Sequence, residues 1–340
     1  MYYFCTYFDR NYLDKGLALY YSLVRHCQPF NLWVLCMNNE TYLDVSRLRL
    51  PGLTPISLPH FENDDPKLLE AKKNRSLIEY YFTCTPSLIL KVIQKNPEID
   101  VLTYLDADLY FFGSVEPAYK ELGSGSILLI EHRFAHNLKD AEQYGHYNVG
   151  LLSFRNDANG LAALTWWRDR CLEWCYDRVE DGKFADQKYL DDWTNRFKGV
   201  VVLQHKGIGL APYNFANYDY SAKDLTFRLF QAPVKIYVDQ YPLIMYHFHG
   251  VKQRMKKIWD MDVYASKTPL PDVIKNKVYL QYIKELIRIR EECVEQGIGP
   301  RPNLNKPIRT YRVPPVIDII KTNIIALKKH IYGDFIEVLS

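Results

Sequence analysis

Apolar and polar positions along this chain follow two periods, one near 2 and one near 3.6, and the changes between them predict the elements. Residues 2–8, YYFCTYF, read as a strand, and Asp9, Arg10 and Asn11 break it. Over 12–26, Tyr12, Leu13, Leu17, Tyr20, Tyr21 and Val24 recur at helical spacing, and NLWVLC at 31–36 reads as the next strand. A strand, helix and strand in that order predict a parallel sheet with a right-handed crossover. Further along, the pattern predicts a helix over 39–50, a short strand over 53–58, and a loop over 60–67. A helical stretch over 68–96 is expected to break at Thr85-Pro86, where Thr can cap and Pro can start a second helix.

The second half repeats the alternation. Strands are predicted at 101–105, 126–132, 147–154, 200–205 and within 242–253, where Gly250 ends the strand. Helices are predicted at 115–121, 158–179 and 274–296, with a short one inside 184–193. Trp166, Trp167 and Trp174 are expected in the core. Residues 207–219, GIGLAPYNFANYD, form an aromatic, amide-rich loop of the kind that binds ligands on a rigid scaffold. A Gly- and Pro-rich linker at 297–307 leads to a helix at 317–332, with Ile317, Ile320, Ile324, Leu327 and Ile331 on one stripe. Two readings of that stripe stay open: packing on the domain or a dimer seam, and attachment to an anionic membrane.

Composition narrows the function. A chain of 340 residues suits one large α/β domain or two. The 27 tyrosines suit sites with one apolar and one wet side, such as sugar clefts or membrane interfaces. A net charge of +3 does not suggest nucleic acid as a partner. The charge is uneven, about +7 from Val251 onward and about −4 before it. Seven cysteines without a C-x-x-C pair suggest reduced thiols and a cytoplasmic protein, and Cys171 and Cys175 are expected to pack on one helix face. No secretory leader is expected at MYYFCTYFDR, and no run is long enough for a membrane span.

The chemistry concentrates at VLTYLDADLYFF, residues 101–112. Asp106 and Asp108 follow a buried strand, separated only by Ala107, and alternation in extended chain would point both carboxylates the same way. Such a pair between apolar runs needs compensation, and a hard divalent cation supplies it. The alternative is a solvated turn. His247 and His249 in YHFHG lie on one face of a strand and suggest a metal ligand, with Lys252 near a phosphate; a lone His there would more often be a satisfied core residue. Asp186 can be a functional acid or the N-cap of a short helix. Gly150 allows close approach to the backbone. Arg75 is either a surface charge or an anion contact. The first strand–helix loop has neither the G-x-G-x-x-G of dinucleotide enzymes nor a P-loop.

YLDADLYFF, HFHG of the H-F-x-G type, YNVGLLSF and FADQKYLDD together resemble the nucleotide-diphospho-sugar transferases of the GT-A fold, nearest the glycogenin and bacterial lipopolysaccharide galactosyltransferase group. EHRF, WW and GIGLAPYN are also similar to glycosyltransferases of bacterial polysaccharide gene clusters. The likeness covers about 2–255 and implies a GT-A domain there, a Rossmann-like mixed, mostly parallel sheet flanked by helices, with a basic helical extension over 256–340. It implies Asp106, Asp108 and His247 as ligands of Mn²⁺ or Mg²⁺, with His249 as the alternative to His247. It implies Thr6, Tyr7, Asp9 and Tyr12 at the base and ribose, with Arg75, Ala107, Gly250 and Lys252 completing the nucleotide site. Asn148, Asp186 and Gln187 would meet the donor sugar, expected to be UDP-linked, and a glycan or glycolipid would accept it with retention. The group's K-P-W after the Gly is missing, since Lys252 is followed by Gln253. Inversion would need a carboxylate base, Asp191 or Asp192. A D-x-D phosphohydrolase would need Thr or Val where Tyr110 stands, and a glycan-binding protein would need neither metal nor nucleotide. The reduced thiols place the expected enzyme in the cytoplasm, and under the attachment reading the 317–332 helix would bring it to the inner face of the membrane.

Overall fold

The structure, a computed structural model, describes residues 1–223, 234–255, 257–263, 266–299 and 334–338. The expected α/β architecture is present. Its first half is β1 (Tyr2–Phe8), α1 (Leu13–His26), β2 (Phe30–Cys36), α2 (Asn39–Leu48), β3 (Leu53–Ser57), α3 (Leu58–Glu62), α4 (Pro66–Asn74), α5 (Leu77–Lys95), β4 (Val101–Leu105), β5 (Leu109–Phe111) and α6 (Glu116–Leu122). There follow β6 (Ile127–Glu131), β7 (Tyr147–Arg155), α7 (Ala158–Glu173), α8 (Trp193–Arg196), β8 (Val200–Val202), β9 (Ile208–Leu210), β10 (Tyr220–Lys223), β11 (Lys235–Val238) and β12 (Tyr241–Pro242). Last come β13 (Met245–His247), β14 (Lys252–Gln253), β15 (Ile258–Asp260), α9 (Leu280–Glu295) and β16 (Phe335–Glu337).

A seven-stranded sheet runs β3-β2-β1-β4-β7-β6-β8. Its β3, β2, β1 and β4 are mutually parallel, and β7 is antiparallel to both β4 and β6. Helices cover both faces: one buried cluster packs α1 and α9 on the sheet, the other α5 and α7. Burial on both sides explains why the central strands read as nearly unbroken apolar runs. Side chains mark where the helices begin. Asn38 caps α2 by accepting from Thr41 N at 2.8 Å, and Asp157 caps α7 by accepting from Gly160 N at 2.8 Å. Each such cap contributes about 1 kcal/mol.

The expected break at Thr85-Pro86 does not occur. Helix α5 runs through Pro86, and the chain divides instead at Arg75-Ser76, where Ser76 and Glu79 form a reciprocal capping box. Pro86 is buried in the same helix, so packing outweighs the roughly 3 kcal/mol that proline costs in a helix interior. Part of the expected 60–67 loop belongs to α3 and α4, and the 158–179 helix ends early, at Glu173. Trp167 is fully buried, whereas Trp166 and Trp174 are half-buried. All seven cysteines are free and buried.

Position 255 is no gap in the core: one buried cluster spans Phe4, Leu105, Trp259 and Leu286. Tyr282 of α9 stacks on Phe248 at 3.8 Å, and Tyr279 shares a hydroxyl hydrogen bond with Tyr246 at 2.9 Å. Arg290 pairs with Asp14 at 2.6 Å, and β16 returns to pair with β15. Among the described residues, no helix is long and apolar enough to cross a membrane. The expected 317–332 helix lies outside the described residues.

Candidate active site

Asp106 and Asp108 do come together, but through a turn rather than strand alternation. Leu109 N donates to Asp106 O at 3.2 Å, closing a four-residue turn between β4 and β5. The turn hands the chain from one sheet to another. Strand β4 belongs to the seven-stranded sheet, and β5 to a three-stranded sheet, β5-β13-β9. Antiparallel pairing places His247 opposite Leu109, and Phe248 N donates to Asp108 O at 2.9 Å. An imidazole 139 positions away in sequence is thereby set beside the acidic turn. His247 Nε2 stands 3.1 Å from Asp108 Oδ1 and 3.7 Å from Asp106 Oδ2.

Gly150 on β7 permits this approach. A Cβ there would stand 2.6 Å from Asn148 Oδ1 and 3.2 Å from both Asp106 Oδ2 and His247 Cε1. Asp106 N also donates to Gly150 O at 2.9 Å, so β7 fixes the turn from its other side.

One ligand atom from each of Asp106, Asp108 and His247 lies within 4.8 Å of the others. Two carboxylates and an imidazole at that spacing could hold a divalent cation. Burial works against the charge on His247, but Asp108 and Asp106 outweigh it and raise its pKa. Burial opposes the charge of Asp108 as well, yet His247 and then Lys15 hold it well below the usual carboxylate range. Burial leaves Asp106 raised. His249 carries no such pairing: its ring is 6.0 Å from that of His247, and burial lowers its pKa. The three-residue cluster therefore takes His247, not the alternative His249.

The cluster opens into a cleft of about 930 Å³. One side of it is polar and buried. Tyr104 donates to Asp106 Oδ1 at 2.8 Å and its ring lies 5.8 Å from that of Tyr7. Thr85 donates to the Tyr7 hydroxyl at 3.5 Å. Asp186 is 4% exposed, and burial pushes its pKa up to about 7, with Thr85 opposing and Asp106 adding to the rise. The N-cap reading of Asp186 is not realised: the short helix Lys188–Leu190 starts after Gln187 and has no side-chain cap. Asp186 is held instead by its backbone, whose carbonyl accepts from Trp167 Nε1 at 2.8 Å. Gln187 donates to Tyr144 O at 2.9 Å.

The other side is aromatic. His132 stacks on Phe134 at 4.6 Å and meets Tyr213 edge-on at 5.2 Å. Burial drops the His132 pKa to about 3, which keeps the ring neutral. Tyr144 and Phe184 lie 4.9 Å apart. Asn148 joins the two sides, donating to the Tyr213 hydroxyl and accepting from Gly150 N.

Of the residues expected at the site, Tyr7, Asp106, Asn148, Asp186, Gln187 and His247 line this cleft. Ala107 is buried inside the acidic turn. Thr6 is fully buried, and its hydroxyl has no hydrogen-bond partner among the described residues. Asp9 accepts from Asn11 N at 2.9 Å and from Tyr81 at 3.3 Å. Tyr12, 42% exposed, lies on the α1 side of Asp108, under the Lys15 ammonium. Gly250 turns the chain at φ +79° with Asp262 packed against it. Lys252 is exposed on β14. Arg75 is apart from the cleft lining: it stacks on Tyr176 at 3.8 Å and bonds the carbonyls that end α7. Asp191 pairs with Lys188 at 2.7 Å and Asp192 with Arg196, so neither stands free as a base. The sequence marks Thr85 only as a helix cap and does not single out Tyr104 or Lys15; Tyr213 falls in the aromatic loop at 207–219.

No protein-family model matches the chain. Among solved structures, the galactosyltransferase LgtC in complex with donor and acceptor sugar analogs is similar, at TM-score 0.49 and 16% identity over 81% of this chain and 100% of that one. GlyE of Streptococcus pneumoniae TIGR4 is similar at 0.45 and 14%, over 89% and 65%. Mouse xyloside xylosyltransferase 1 is similar at 0.44 and 12%, over 73% and 98%. In sequence, YfnD, an uncharacterized protein of Bacillus subtilis (strain 168), is 29% identical over 86% of this chain and 90% of its own. YfnF, a second uncharacterized protein of the same strain, is 30% identical over 296 residues, 84% of this chain and 92% of its own. At that identity over nearly its whole length, the chain belongs to the family of YfnF.

Proposed function

We propose that this protein is a metal-dependent glycosyltransferase that moves a sugar from a nucleoside diphosphate, with UDP the expected nucleotide, to a glycan or glycolipid acceptor. The observation that carries this reading is the Asp106–Asp108–His247 cluster at the edge of a cleft of about 930 Å³. That space lies within the roughly 300–1,000 Å³ of small-molecule sites and suits a nucleotide sugar. A divalent cation bound there would neutralise the charge that grows on a departing diphosphate.

The chain's own groups have definite tasks in this reading. Asp106, Asp108 and His247 hold the cation. Asn148, Asp186 and Gln187 face the donor sugar, and the Tyr144–Phe184 pair offers a sugar face to the acceptor. As the anomeric C–O bond breaks, its electron pair stays on the diphosphate, and the acceptor oxygen bonds to the anomeric carbon. With retention, the acceptor proton passes to the departing phosphate oxygen. A second reading has one observation in its favour: a carboxylate with a pKa of about 7 meets the requirement for a general base. Asp186 would then take the acceptor proton and the transfer would invert.

The test is thermal stabilisation by a panel of nucleotide sugars with and without Mn²⁺, followed by NMR of the product's anomeric configuration. Metal-dependent stabilisation by one sugar nucleotide supports the transferase. Stabilisation by a free glycan without metal would instead indicate a glycan-binding protein, and phosphate release without an acceptor a phosphohydrolase.

A further inference from the structure

We propose that Lys15, on the first turn of α1, supplies the cationic side chain for the donor's diphosphate. This rests on the transferase reading above. The transferase group that the chain resembles carries that charge on a lysine in the K-P-W after its H-F-x-G. Here the corresponding stretch reads Gly250-Val251-Lys252-Gln253-Arg254, with no Pro-Trp, and Lys252 is exposed on β14. Lys15 is 8% exposed. Its ammonium lies 3.8 Å from Asp108 Oδ2 and 4.1 Å from the centre of the Tyr12 ring. It is thus close both to the carboxylate assigned to the metal and to the tyrosine assigned to the nucleoside. A diphosphate spans that interval in any nucleotide sugar.

The geometry fits a waiting contact better than a structural one. At 3.8 Å the ammonium is too far from Asp108 for a hydrogen bond, and Asp108 already has His247 at 3.1 Å. Among the described residues the ammonium meets a long ion pair and an aromatic face, which leaves donors for an anion. Placement on a packed helix rather than a loop also fixes its position.

Isothermal titration with three probes tests this: Mn²⁺ alone, inorganic pyrophosphate with Mn²⁺, and UDP with Mn²⁺. Lys15→Met is expected to leave Mn²⁺ affinity unchanged or slightly tighter, because a positive charge beside the ion is gone. It is expected to weaken pyrophosphate and UDP at least tenfold, Lys15→Arg to recover most of that loss, and Lys252→Ala to cost less than Lys15→Met. The proposal is overturned if Lys15→Met binds pyrophosphate like wild type, or if its loss is confined to Mn²⁺, which would make Lys15 a structural partner of Asp108. Wild-type protein that binds none of the three probes overturns the transferase reading, and this one with it. Near-UV circular dichroism checks the fold, and if Lys15→Met fails to fold, Lys15→Gln against Lys15→Arg makes the same comparison.

Discussion

The acidic edge of the cleft and its aromatic wall are made from different kinds of chain. On the edge, Asp106 and Asp108 sit in a turn clamped between β4 and β5, and His247 ends a strand paired to β5. Each is fixed by backbone hydrogen bonds before its side chain meets anything. On the wall, Phe134, Tyr144, Phe184 and Tyr213 come from connections between strands and helices, and mostly hold one another. A metal site tolerates little displacement of its ligands, which demands rigid support. A surface that recognises a ring can be assembled from loops, and loops can vary between relatives without disturbing the sheet. The division implies that edge substitutions change whether chemistry occurs, while wall substitutions change what is accepted.

The strongest challenge to that division is Asp108→Asn. It should abolish Mn²⁺ binding by calorimetry and lower sugar transfer about a thousandfold, a loss of about 4 kcal/mol in transition-state stabilisation. Retained metal-dependent transfer would sink the assignment of the edge.

Next is Asp186, through pH. The unfolded chain releases this proton in the ordinary carboxylate range, and the folded protein near 7. Between those values folding takes up a proton, so stability falls as pH rises, on the order of 4 kcal/mol across the window. His247, also raised, acts in the same direction: its stabilising share is present at low pH and lost as pH rises through its raised value. In metal-free protein, Asp186→Asn should therefore raise the melting temperature at pH 8 and leave it nearly unchanged at pH 4. Equal shifts at both pH values would refute the buried-acid account.

Gly150→Ala sharpens the comparison from the edge. The added methyl meets Asn148, Asp106 and His247, so it should weaken Mn²⁺ binding about tenfold and destabilise by about 1–3 kcal/mol through overpacking. Unchanged titration curves would mean that the ligands have slack. From the wall, Phe184→Ala should raise the acceptor KM about tenfold while Mn²⁺ and nucleotide binding stay within twofold. Loss of both together would show that the two regions are not separable. The smallest effect belongs to Arg75→Ala, a half-exposed residue stacked on Tyr176: less than about 1 kcal/mol of stability and no change in nucleotide affinity.

Much of the edge was legible beforehand, and for a reason. Buried runs flanking two carboxylates state a charge problem that few arrangements solve, and a second apolar strand with a histidine completes one solution. The mechanism read from the sequence was nevertheless incorrect in one step, since a turn, not alternation along a strand, brings the two carboxylates together. Thr85-Pro86 misled because a proline inside a helix looks like a boundary until packing overrides it. Tyr104, Thr85 and Tyr7 look like ordinary sheet and helix residues, and nothing local marks that Tyr104 donates to Asp106 or that Thr85 donates to Tyr7.

Hydrophobic period determined the first strand–helix–strand unit and the parallel start of the sheet, and residue identity marked the acidic tip after β4, because these depend on neighbours a few residues apart. Tertiary structure decided which histidine faces the acids, that α9 closes the core beneath them, and that a lysine of α1 stands beside Asp108. Those outcomes depend on pairings across tens to hundreds of residues, where register and packing, not propensity, choose the partner.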